Sequence, residues 1–427
     1  MRTEAAINEL KAGAYRNLLC DIYEDDSLIA HEEERYVGAI KRFEELFGAG
    51  EINIYSAPGR SEIGGNHTDH QHGEVLAASI NRDAIAVVSK TDKGEVRIVS
   101  DNRSMMCVDT NDLELAEGEK ESSKALVKGV LKGVVDRGYK IGGFDAFITS
   151  EVLVGAGLSS SAAFEALIGT IVSYLYNDGK IDAATIAIIG QFAENVYFGK
   201  PCGLMDQMAC SVGNMVHINF ADPSDPKFET VKFDMNKYGY SLCITDTKGS
   251  HADLTPDYGA IPYEMKKVAS DYGREVLLGV TTEDILEKIV DLRKNYGDRA
   301  VLRALHFIKE NERVSKEVNA LKNENIDLFL SLVKESGNSS YKYLQNVYTT
   351  KDITAQNMSV ALAFSEIVLG EDGGVARVHG GGFAGTIQAF VRNEKVAEYM
   401  ETMNRIFGEG SCNVLKIRKY GGMKVLS

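Results

Sequence analysis

The chain has 427 residues, of which 44% are hydrophobic and 26% are charged, and its formal net charge is −15. This length exceeds one ordinary core and suits two domains of about 200 residues each. The negative average field disfavours nucleic acid as a partner, because binding a polyanion depends on Lys and Arg neutralising its phosphates, although a small anion such as ATP stays compatible where local groups counter the charge.

The cysteines and the N-terminal residues favour a cytoplasmic protein. The six cysteines include no CxxC pair, so we expect reduced thiols rather than a disulfide framework. The first residues, MRTEAAINELKAG, lack the apolar core of a signal peptide. No stretch approaches the ~20 apolar residues that span a bilayer. We therefore expect no membrane association.

The predicted elements begin with an N-terminal helical extension over residues 1–50. Its apolar residues Ile40, Phe43 and Phe47 recur at three and four positions, as in a helix with one buried face, so we expect it to pack on a domain surface. The segment INIYSAPGR then predicts a short strand broken by Pro58 and Gly59.

Strand-like and helical stretches alternate along the rest of the chain. The segment ADPSDPK, with two prolines and two aspartates, predicts a domain junction. We therefore expect an N-terminal domain over residues 51–225 and a C-terminal domain over residues 226–427. Because the mixture shows no strict βαβ repeat, it favours the α+β class. The predicted strands are AIAVVSK, EVRIVS, FDAFITS, MVHINF, YSLCITDT, GTIQAFV and NVLKIRK.

The first segment with candidate functional residues is APGRSEIGGNHTDHQH, which starts at Ala57. It gathers one arginine, two carboxylates and three histidines. A metal site of His67, Asp69, His70 and His72 is one interpretation, although the spacing matches no familiar zinc pattern. A polar surface loop is another. A third is a loop that hydrogen-bonds a polyhydroxylated substrate, since Asn, Asp and His supply both donors and acceptors.

The second segment is the glycine-rich run VGAGLSSSAA, over residues 154–163, directly before an apolar helical pattern. Glycines let the backbone approach a ligand closely, and the free amides of a first helical turn bind phosphate. The three serine hydroxyls suit phosphate oxygens or a magnesium ion. The alternative is a tight turn with a serine cap. A Walker-type GxxxxGK[ST] loop is absent from the sequence.

Two further segments follow in the chain. Glu194 precedes PCGLMDQM, where Asp206 lies in an otherwise apolar stretch, and an ionised carboxylate is costly there unless it is paired. Asp206 is thus either a functional carboxylate or a satisfied structural group. The run HGGGFAG, from His379, precedes the strand TIQAFV and leaves room for a ligand or forms a flexible turn.

Together and in this order, the four segments resemble the GHMP kinase superfamily, and within it the galactokinases. APGR…IGGxHTD is similar to the galactokinase signature, GAGLSSSAAFE to the superfamily's phosphate-binding motif, PCGLMDQ to the segment with the catalytic aspartate, and HGGGFAG to the third motif. The resemblance implies a two-domain GHMP kinase-like fold with the active site between the domains. It implies an enzyme that transfers phosphate from ATP, with Mg²⁺, to the anomeric hydroxyl of galactose.

The resemblance also implies roles for individual residues. Asp206 would be the general base, and Arg60 would stabilise the transferred phosphoryl group. Ser161 and Glu194 would hold the magnesium ion. The sugar would contact Asn66, His67, Asp69, Gly203 and Tyr258. The nucleotide phosphates would bind Gly155, Ala156, Gly157, Leu158, Ser159, Ser160 and Ser161, with Gly380, Gly381 and Gly382 closing the site. The strand-like RIVSDN segment is a candidate wall of the adenine pocket.

Two departures from the galactokinase pattern fall in the sugar loop. Asn66 replaces the family's glutamate before HTD, and His70 replaces the following tyrosine, while Glu62 stands where the family has asparagine. That glutamate normally accepts a hydrogen bond from the sugar's C6 hydroxyl. We expect a galactose-configured sugar with changed tolerance at C6, which leaves galacturonate, L-arabinose and N-acetylgalactosamine as alternatives.

Two other functions are compatible with the resemblance, and both are disfavoured. A non-catalytic sugar sensor that binds sugar and ATP is disfavoured, because Ser161, Glu194 and Asp206, the groups that phosphoryl transfer needs, are all present. A kinase for another alcohol, such as mevalonate or homoserine, is disfavoured because those relatives lack the HTD loop.

Overall fold

The chain is built around two β-sheets, seen in a computed structural model that describes residues 1–152, 157–223, 225–250 and 254–427. The strands are β1 Asn53–Gly64, β2 Glu74–Lys90, β3 Glu95–Ser100, β4 Met106–Asp109, β5 Phe144–Ser150, β6 Met215–Asn219, β7 Lys227–Val231, β8 Tyr240–Asp246, β9 Gly374–Val378, β10 Thr386–Arg392, β11 Cys412–Leu415 and β12 Met423–Leu426. The helices are α1 Thr3–Lys11, α2 Arg16–Tyr23, α3 Ile29–Phe47, α4 Ser123–Asp136, α5 Ser160–Asn177, α6 Ala183–Phe192, α7 Met205–Val212, α8 Thr255–Ser270, α9 Thr282–Glu287, α10 Ile289–Tyr296, α11 Asp298–Lys322, α12 Ile326–Ser339, α13 Asn357–Leu369 and α14 Val396–Phe407.

The first sheet has eight strands in the order β12-β1-β2-β5-β3-β4, with β6 on β2 and β7 on β6. Its pairs are antiparallel except β3 with β5. Strand β1 continues through Pro58, where a break was predicted, because the register shifts between Pro58 and Arg60. Proline is tolerated at such an irregularity, and the Arg60 amide leaves the ladder to donate to Leu158 O at 3.1 Å.

Helices cover both faces of this sheet. Helices α1–α3 lie within the predicted N-terminal extension, and their Tyr36 and Phe43 pack against one face through Ile54, Val87 and Phe147. Helices α4–α7 cover the opposite face. Alternating strand residues are buried on both sides, which explains the near-continuous burial of β1 and β2.

The second sheet has the order β11-β8-β10-β9, and its pairs are all antiparallel. Leu242 and Ile244 of β8 face the core with α12, whereas Cys243 between them packs with Tyr399 and Met403 of α14. Helices α8–α10 pack with α11 in a separate apolar cluster. The arrangement is the expected α+β class with two domains.

The domain boundary expected at residue 225 differs from the structure in two places. Strand β7, which lies after residue 225, pairs with β6 in the first sheet and not in the second. Strand β12, at the far end of the chain, pairs with β1 in the same sheet. Unpaired strand edges leave backbone groups without partners, and both additions satisfy such edges. Within the described parts of the chain, none of the helices combines the length and apolar character that a bilayer span requires.

Candidate active site

A cavity of about 390 Å³ lies between the two domains, and most of the residues predicted for the reaction line it. These residues are Arg60, Gly157, Leu158, Ser159, Ser160, Ser161, Asp206, Tyr258, Gly380, Gly381 and Gly382. The predicted phosphate-binding residues Gly155 and Ala156 lie outside the described residues. A larger groove of about 610 Å³ elsewhere contains none of the predicted residues, so chemistry rather than size identifies the site.

Arg60 and Asp206 form a bidentate ion pair at this cavity. Arg60 Nε lies 2.7 Å from Asp206 Oδ1, and Arg60 Nη2 lies 2.8 Å from Oδ2. The irregularity in β1 directs the Arg60 side chain away from the ladder, and α7 places Asp206 in its first turn. The remaining guanidinium nitrogen donates to Gly157 O, and the Ser159 hydroxyl donates to Asp206 Oδ2. The two residues therefore tie β1, the glycine-rich segment and α7 together.

These contacts keep Asp206 ionised. Burial alone would raise the pKa of the Asp206 carboxyl, but the Arg60 charge and the hydrogen bonds from Arg60 and Ser159 bring that pKa below its ordinary value. About a third of the side chain remains exposed (33%), toward the cavity. Oδ2 accepts two hydrogen bonds and Oδ1 accepts one, so Oδ1 keeps an acceptor position for a ligand hydroxyl.

The glycine-rich segment meets the start of a long helix. Gly157 has φ +68°, and a Cβ at this position would lie 2.8 Å from Thr386 Oγ1, so only glycine fits there. Ser159 also lies in the left-handed region, at φ 56°, directly before α5 begins at Ser160. Helix α5 has 18 residues, and its N-terminal amides and dipole favour an anion in the cavity.

A hydroxyl and a carboxylate come together beside this helix start. Ser161 Oγ lies 3.2 Å from Glu194 Oε1, the oxygen that also accepts from Lys200 Nζ at 3.1 Å. Glu194 Oε2 accepts from Gln207 Nε2 at 2.9 Å, and the same amide donates to Glu165. Burial and then the Glu194 charge raise the pKa of Glu165 well above its ordinary value, so Glu165 is neutral. Hydroxyl and carboxylate oxygens are donors that Mg²⁺ prefers.

Asn66 does not present its amide to the cavity. The side chain is fully buried, and its Nδ2 donates to Glu62 Oε1 at 3.0 Å and to Gly380 O at 2.8 Å. Its Oδ1 accepts from Ser340 Oγ at 3.2 Å and from Asn346 Nδ2 at 2.8 Å. All hydrogen-bonding positions of the amide are thus used within the protein. The predicted sugar contact of Asn66 therefore finds no free polar atom in this geometry.

The neighbouring carboxylate, Glu62, also faces inward. Arg377 Nη2 donates to Glu62 Oε1 at 2.9 Å, and Arg377 Nη1 donates to Ile63 O at 2.7 Å. Burial raises the pKa of Glu62 to about 7 despite the positive charges of Arg377 and Arg60. Glu62 and Asn66 therefore form one buried hydrogen-bonded pair, which joins the sugar loop to the C-terminal domain.

Of the remaining predicted sugar residues, only Tyr258 lines the cavity. Asp69 and Gly203 line a separate space of about 200 Å³, and a Cβ on Gly203 would lie 2.4 Å from Asp69 Oδ2. His67 Nε2 lies 3.0 Å from Gly381 O, and burial lowers the pKa of His67 to about 4, so its neutral ring donates to that carbonyl. The Tyr258 hydroxyl donates to Gly382 O at 2.9 Å.

The alternative metal site in the sugar loop is not assembled. Among the described residues, the group of metal-ligating side chains that comes within binding distance consists of His31, Glu32 and Glu151, on the far side of the first sheet from α5. That group is already paired with arginine, since Arg35 donates to Glu32 at 2.9 Å.

Five residues that line the cavity were not among the predicted site residues, and three of them have polar side chains: Lys200, His379 and Thr386. Lys200 directly precedes the recognised PCGLMDQ segment, so its position beside Asp206 could have drawn attention to it. His379 begins the HGGGFAG run and Thr386 follows it, but neither position has chemistry that the sequence alone reveals. Their place in the site follows from the fold, because β9 and β10 bring both side chains close to Gly157 of the glycine-rich segment.

Comparisons with known proteins identify the family. A family model described as the galactokinase galactose-binding signature matches residues 41–90, and one described as the GHMP kinases N terminal domain matches residues 125–214. The chain is 32% identical to a galactokinase of Glaesserella parasuis over 375 residues, which cover 86% of this chain and 91% of that relative. It is 29% identical to a galactokinase of Clostridium tetani over 373 residues, covering 86% and 92% respectively.

Solved structures agree with the fold. A Lactococcus lactis galactokinase complexed with galactose superposes with a TM-score of 0.76 at 23% identity, covering 90% of this chain and 98% of that chain. The mevalonate kinase of Methanococcus jannaschii superposes with a TM-score of 0.61 at 16% identity, covering 86% and 99%.

Proposed function

Because the chain belongs to the galactokinase family of GHMP kinases, we propose that it transfers the γ-phosphoryl group of ATP to the anomeric hydroxyl of galactose. The observation that carries this proposal is the ionised Asp206, paired with Arg60 and facing the cavity at the start of α5. Phosphoryl transfer depends mainly on positioning and on charge neutralisation, and this cavity provides groups for both.

Asp206 is the proposed general base. Its Oδ1 has an unused acceptor position, which would receive the hydrogen bond and then the proton of the sugar hydroxyl. Arg60 holds the carboxylate in place and keeps it ionised. The same guanidinium would lie beside the transferred phosphoryl group, where negative charge spreads over its oxygens, and would stabilise the transition state.

Ser161 and Glu194 are the proposed ligands of a magnesium ion bound with ATP, since their oxygen atoms are 3.2 Å apart and are hard donors. Bound Mg²⁺ supplies charge neutralisation at the phosphate oxygens. Lys200 shares Glu194 Oε1 and would add a second positive charge at this end of the cavity. The amides of Gly157 to Ser161 would bind the phosphates, and Gly380 to Gly382 would close over them.

The adenine would lie beside the end of β3. Strands β3 and β5 are parallel neighbours, so their carboxyl ends meet at one edge of the sheet. The glycine-rich segment follows β5, and Ile98 and Ser100 of the RIVSDN segment line a cavity of about 490 Å³ together with Met105. This arrangement supports the predicted adenine wall next to the phosphate site.

The proposed sugar site uses Asp69, His67 and Tyr258, with Gly203 leaving room for Asp69. At the C6 end the Asn66 amide has no unused hydrogen-bonding position, and the Glu62 carboxylate is held by Arg377. We therefore expect weak discrimination at C6 and, by comparison, strong dependence on the galactose-configured hydroxyls.

A coupled ADP-release assay with ATP and Mg²⁺ tests the function across sugars. Galactose, galacturonate, L-arabinose, N-acetylgalactosamine and glucose form the panel. Turnover on galactose with little turnover on glucose is expected. A hundredfold preference for galactose over both galacturonate and L-arabinose would contradict the changed tolerance at C6. Absence of turnover on every sugar would contradict the proposed function.

A further inference from the structure

His379 lies between the two domains with both ring nitrogens engaged. Nε2 is 3.2 Å from the backbone nitrogen of Glu62, on β1. Because an amide N–H can only donate, Nε2 is the acceptor, and the ring proton is on Nδ1. Burial, followed by the charges of Arg60 and Arg377, places the pKa of His379 well below its ordinary value, which agrees with a neutral ring.

The Nδ1 proton fixes the direction of a neighbouring hydroxyl. His379 Nδ1 lies 2.9 Å from Thr386 Oγ1, so the Thr386 oxygen accepts this hydrogen bond and keeps its own hydrogen for another acceptor. In the described parts of the chain, no second hydrogen-bond partner of the Thr386 side chain is found. Both residues are buried, so a hydroxyl hydrogen without an acceptor would be costly.

The hydrogen of the Thr386 hydroxyl can be donated to a ligand in the cavity. Thr386 lines it opposite Gly157, where a Cβ would lie 2.8 Å from Thr386 Oγ1 and 3.3 Å from His379 Nδ1. We propose that Glu62, His379 and Thr386 form a relay in which the Thr386 hydroxyl donates a hydrogen bond to the phosphoryl group during transfer. Thr386 is then a catalytic residue and His379 a positioning residue, and the inference rests on the proposed kinase function.

The relay suits phosphoryl transfer for a physical reason. A donor that is already oriented before the reaction stabilises developing charge without reorganising at the moment of transfer. His379 provides that orientation from a buried position, and its Nε2 is held by the Glu62 backbone N–H, with the Ser61 hydroxyl also 3.2 Å from it. The hydroxyl comes from the C-terminal domain, opposite the amides of the N-terminal domain, so the phosphoryl group would be contacted from both sides.

The matched pair Thr386→Val and Thr386→Ser tests the hydroxyl. Valine keeps the shape and removes the hydroxyl, whereas serine keeps it. Removing one donor of an oxyanion site commonly costs ~10²–10³ in kcat, and we expect at least a tenfold loss for valine, since a hydroxyl is neutral. Serine should stay within about threefold, and ADP binding should be unchanged in both. Valine leaves the buried His379 Nδ1–H without its acceptor, so its melting temperature should fall, whereas that of serine should be unchanged. Equal kcat for valine and wild type, or equal losses in both variants, would overturn the relay.

The variant His379→Gln tests the positioning role. Its amide oxygen can take the place of Nε2 and accept from Glu62, but its NH2 group does not occupy the place of Nδ1, so Thr386 loses its orienting donor. We expect its kcat loss in the wild-type background to vanish in the Thr386→Val background, because the two residues act through one hydroxyl. Additive losses would overturn the relay. A wild-type protein without turnover on any sugar would contradict the proposed function instead, so the two failures are distinguishable.

Discussion

Arg60 and Asp206 are 146 positions apart in the chain, yet two parallel hydrogen bonds join their side chains. A bidentate arginine–carboxylate pair fixes both position and charge, which a lysine cannot do with one ammonium group. In this cavity the pair aligns the proposed base and keeps it ionised. The catalytic proposal therefore depends on the planar guanidinium as well as on its charge.

The substitution Arg60→Lys tests this dependence. We expect kcat/KM for galactose to fall at least about tenfold, because the bidentate geometry is lost. The pKa of Asp206 should rise when the guanidinium no longer opposes burial, so the acid limb of the pH profile should move to higher pH. The pH dependence of kcat/KM between pH 4 and 8 measures this.

Arg82→Lys is the matched control, since Arg82 pairs with Glu151 at 2.8 Å outside the cavity. Its profile should match that of wild type. An Arg60→Lys profile with an unmoved acid limb would contradict the role given to Arg60.

The sequence predicted some residues of the site and could not predict others. Asp206 and Arg60 occur in motifs whose order along the chain is distinctive, and the structure brings both to one cavity. The buried position of Asn66 could not be predicted, because its four partners come from Glu62, from the glycine turn and from Ser340 and Asn346 after α12. Such convergence depends on tertiary packing, which no local pattern encodes.

Some helices and strands could likewise be predicted from the sequence, and others could not. Helix α3 was predictable because its one-sided apolar periodicity extends over several turns, whereas α5 was predictable from its long apolar run, which is buried on all sides. Strands β7 and β12 were not, since they are short edge strands with little alternation. Their positions are set by pairing with β6 and β1, which lie elsewhere in the fold.

One buried carboxylate connects the N-terminal extension to the first sheet. Asp83 accepts from Tyr23 of α2 at 2.9 Å, from Arg35 of α3 at 2.8 Å and from Arg418 near β12 at 2.8 Å. Burial would raise the pKa of Asp83, but the charges of Arg35 and Arg418 bring it below its ordinary value. The extension is therefore held by a charged cluster as well as by apolar packing.

The substitution Asp83→Asn should lower the free energy of unfolding by about 3–5 kcal/mol, because it leaves buried guanidinium groups without their carboxylate. Since the folded-state pKa is depressed, the contribution of Asp83 is present above an unfolded pKa of 3.8 and is lost as the pH falls through the folded pKa. Urea unfolding at pH 7 measures the change. Asp178→Asn, in an exposed pair with Lys180, should change it by less than about 0.5 kcal/mol, and equal effects would contradict the role of the cluster.

At the scale of the whole molecule, the active site exists because the two domains meet along the end of β1. Arg377 and His379 of the C-terminal domain hold Glu62 and the backbone beside it, two positions from Arg60. The glycine-rich segment with Gly157 to Ser161 comes from the N-terminal domain, and the run Gly380 to Gly382 comes from the C-terminal domain. The two-domain α+β arrangement was predictable from the family resemblance, whereas this contact between β1 and β9 required the folded chain.

The central claim is that Asp206 accepts the sugar proton while ATP is held across this interface. A rapid-quench single-turnover experiment with γ-labelled ATP and galactose, comparing wild type with Asp206→Asn, tests it most directly. The account predicts labelled galactose 1-phosphate from wild type and transfer slower by about 10²–10⁴-fold in the variant, with ATP affinity unchanged. Transfer by the variant at the wild-type rate would contradict it.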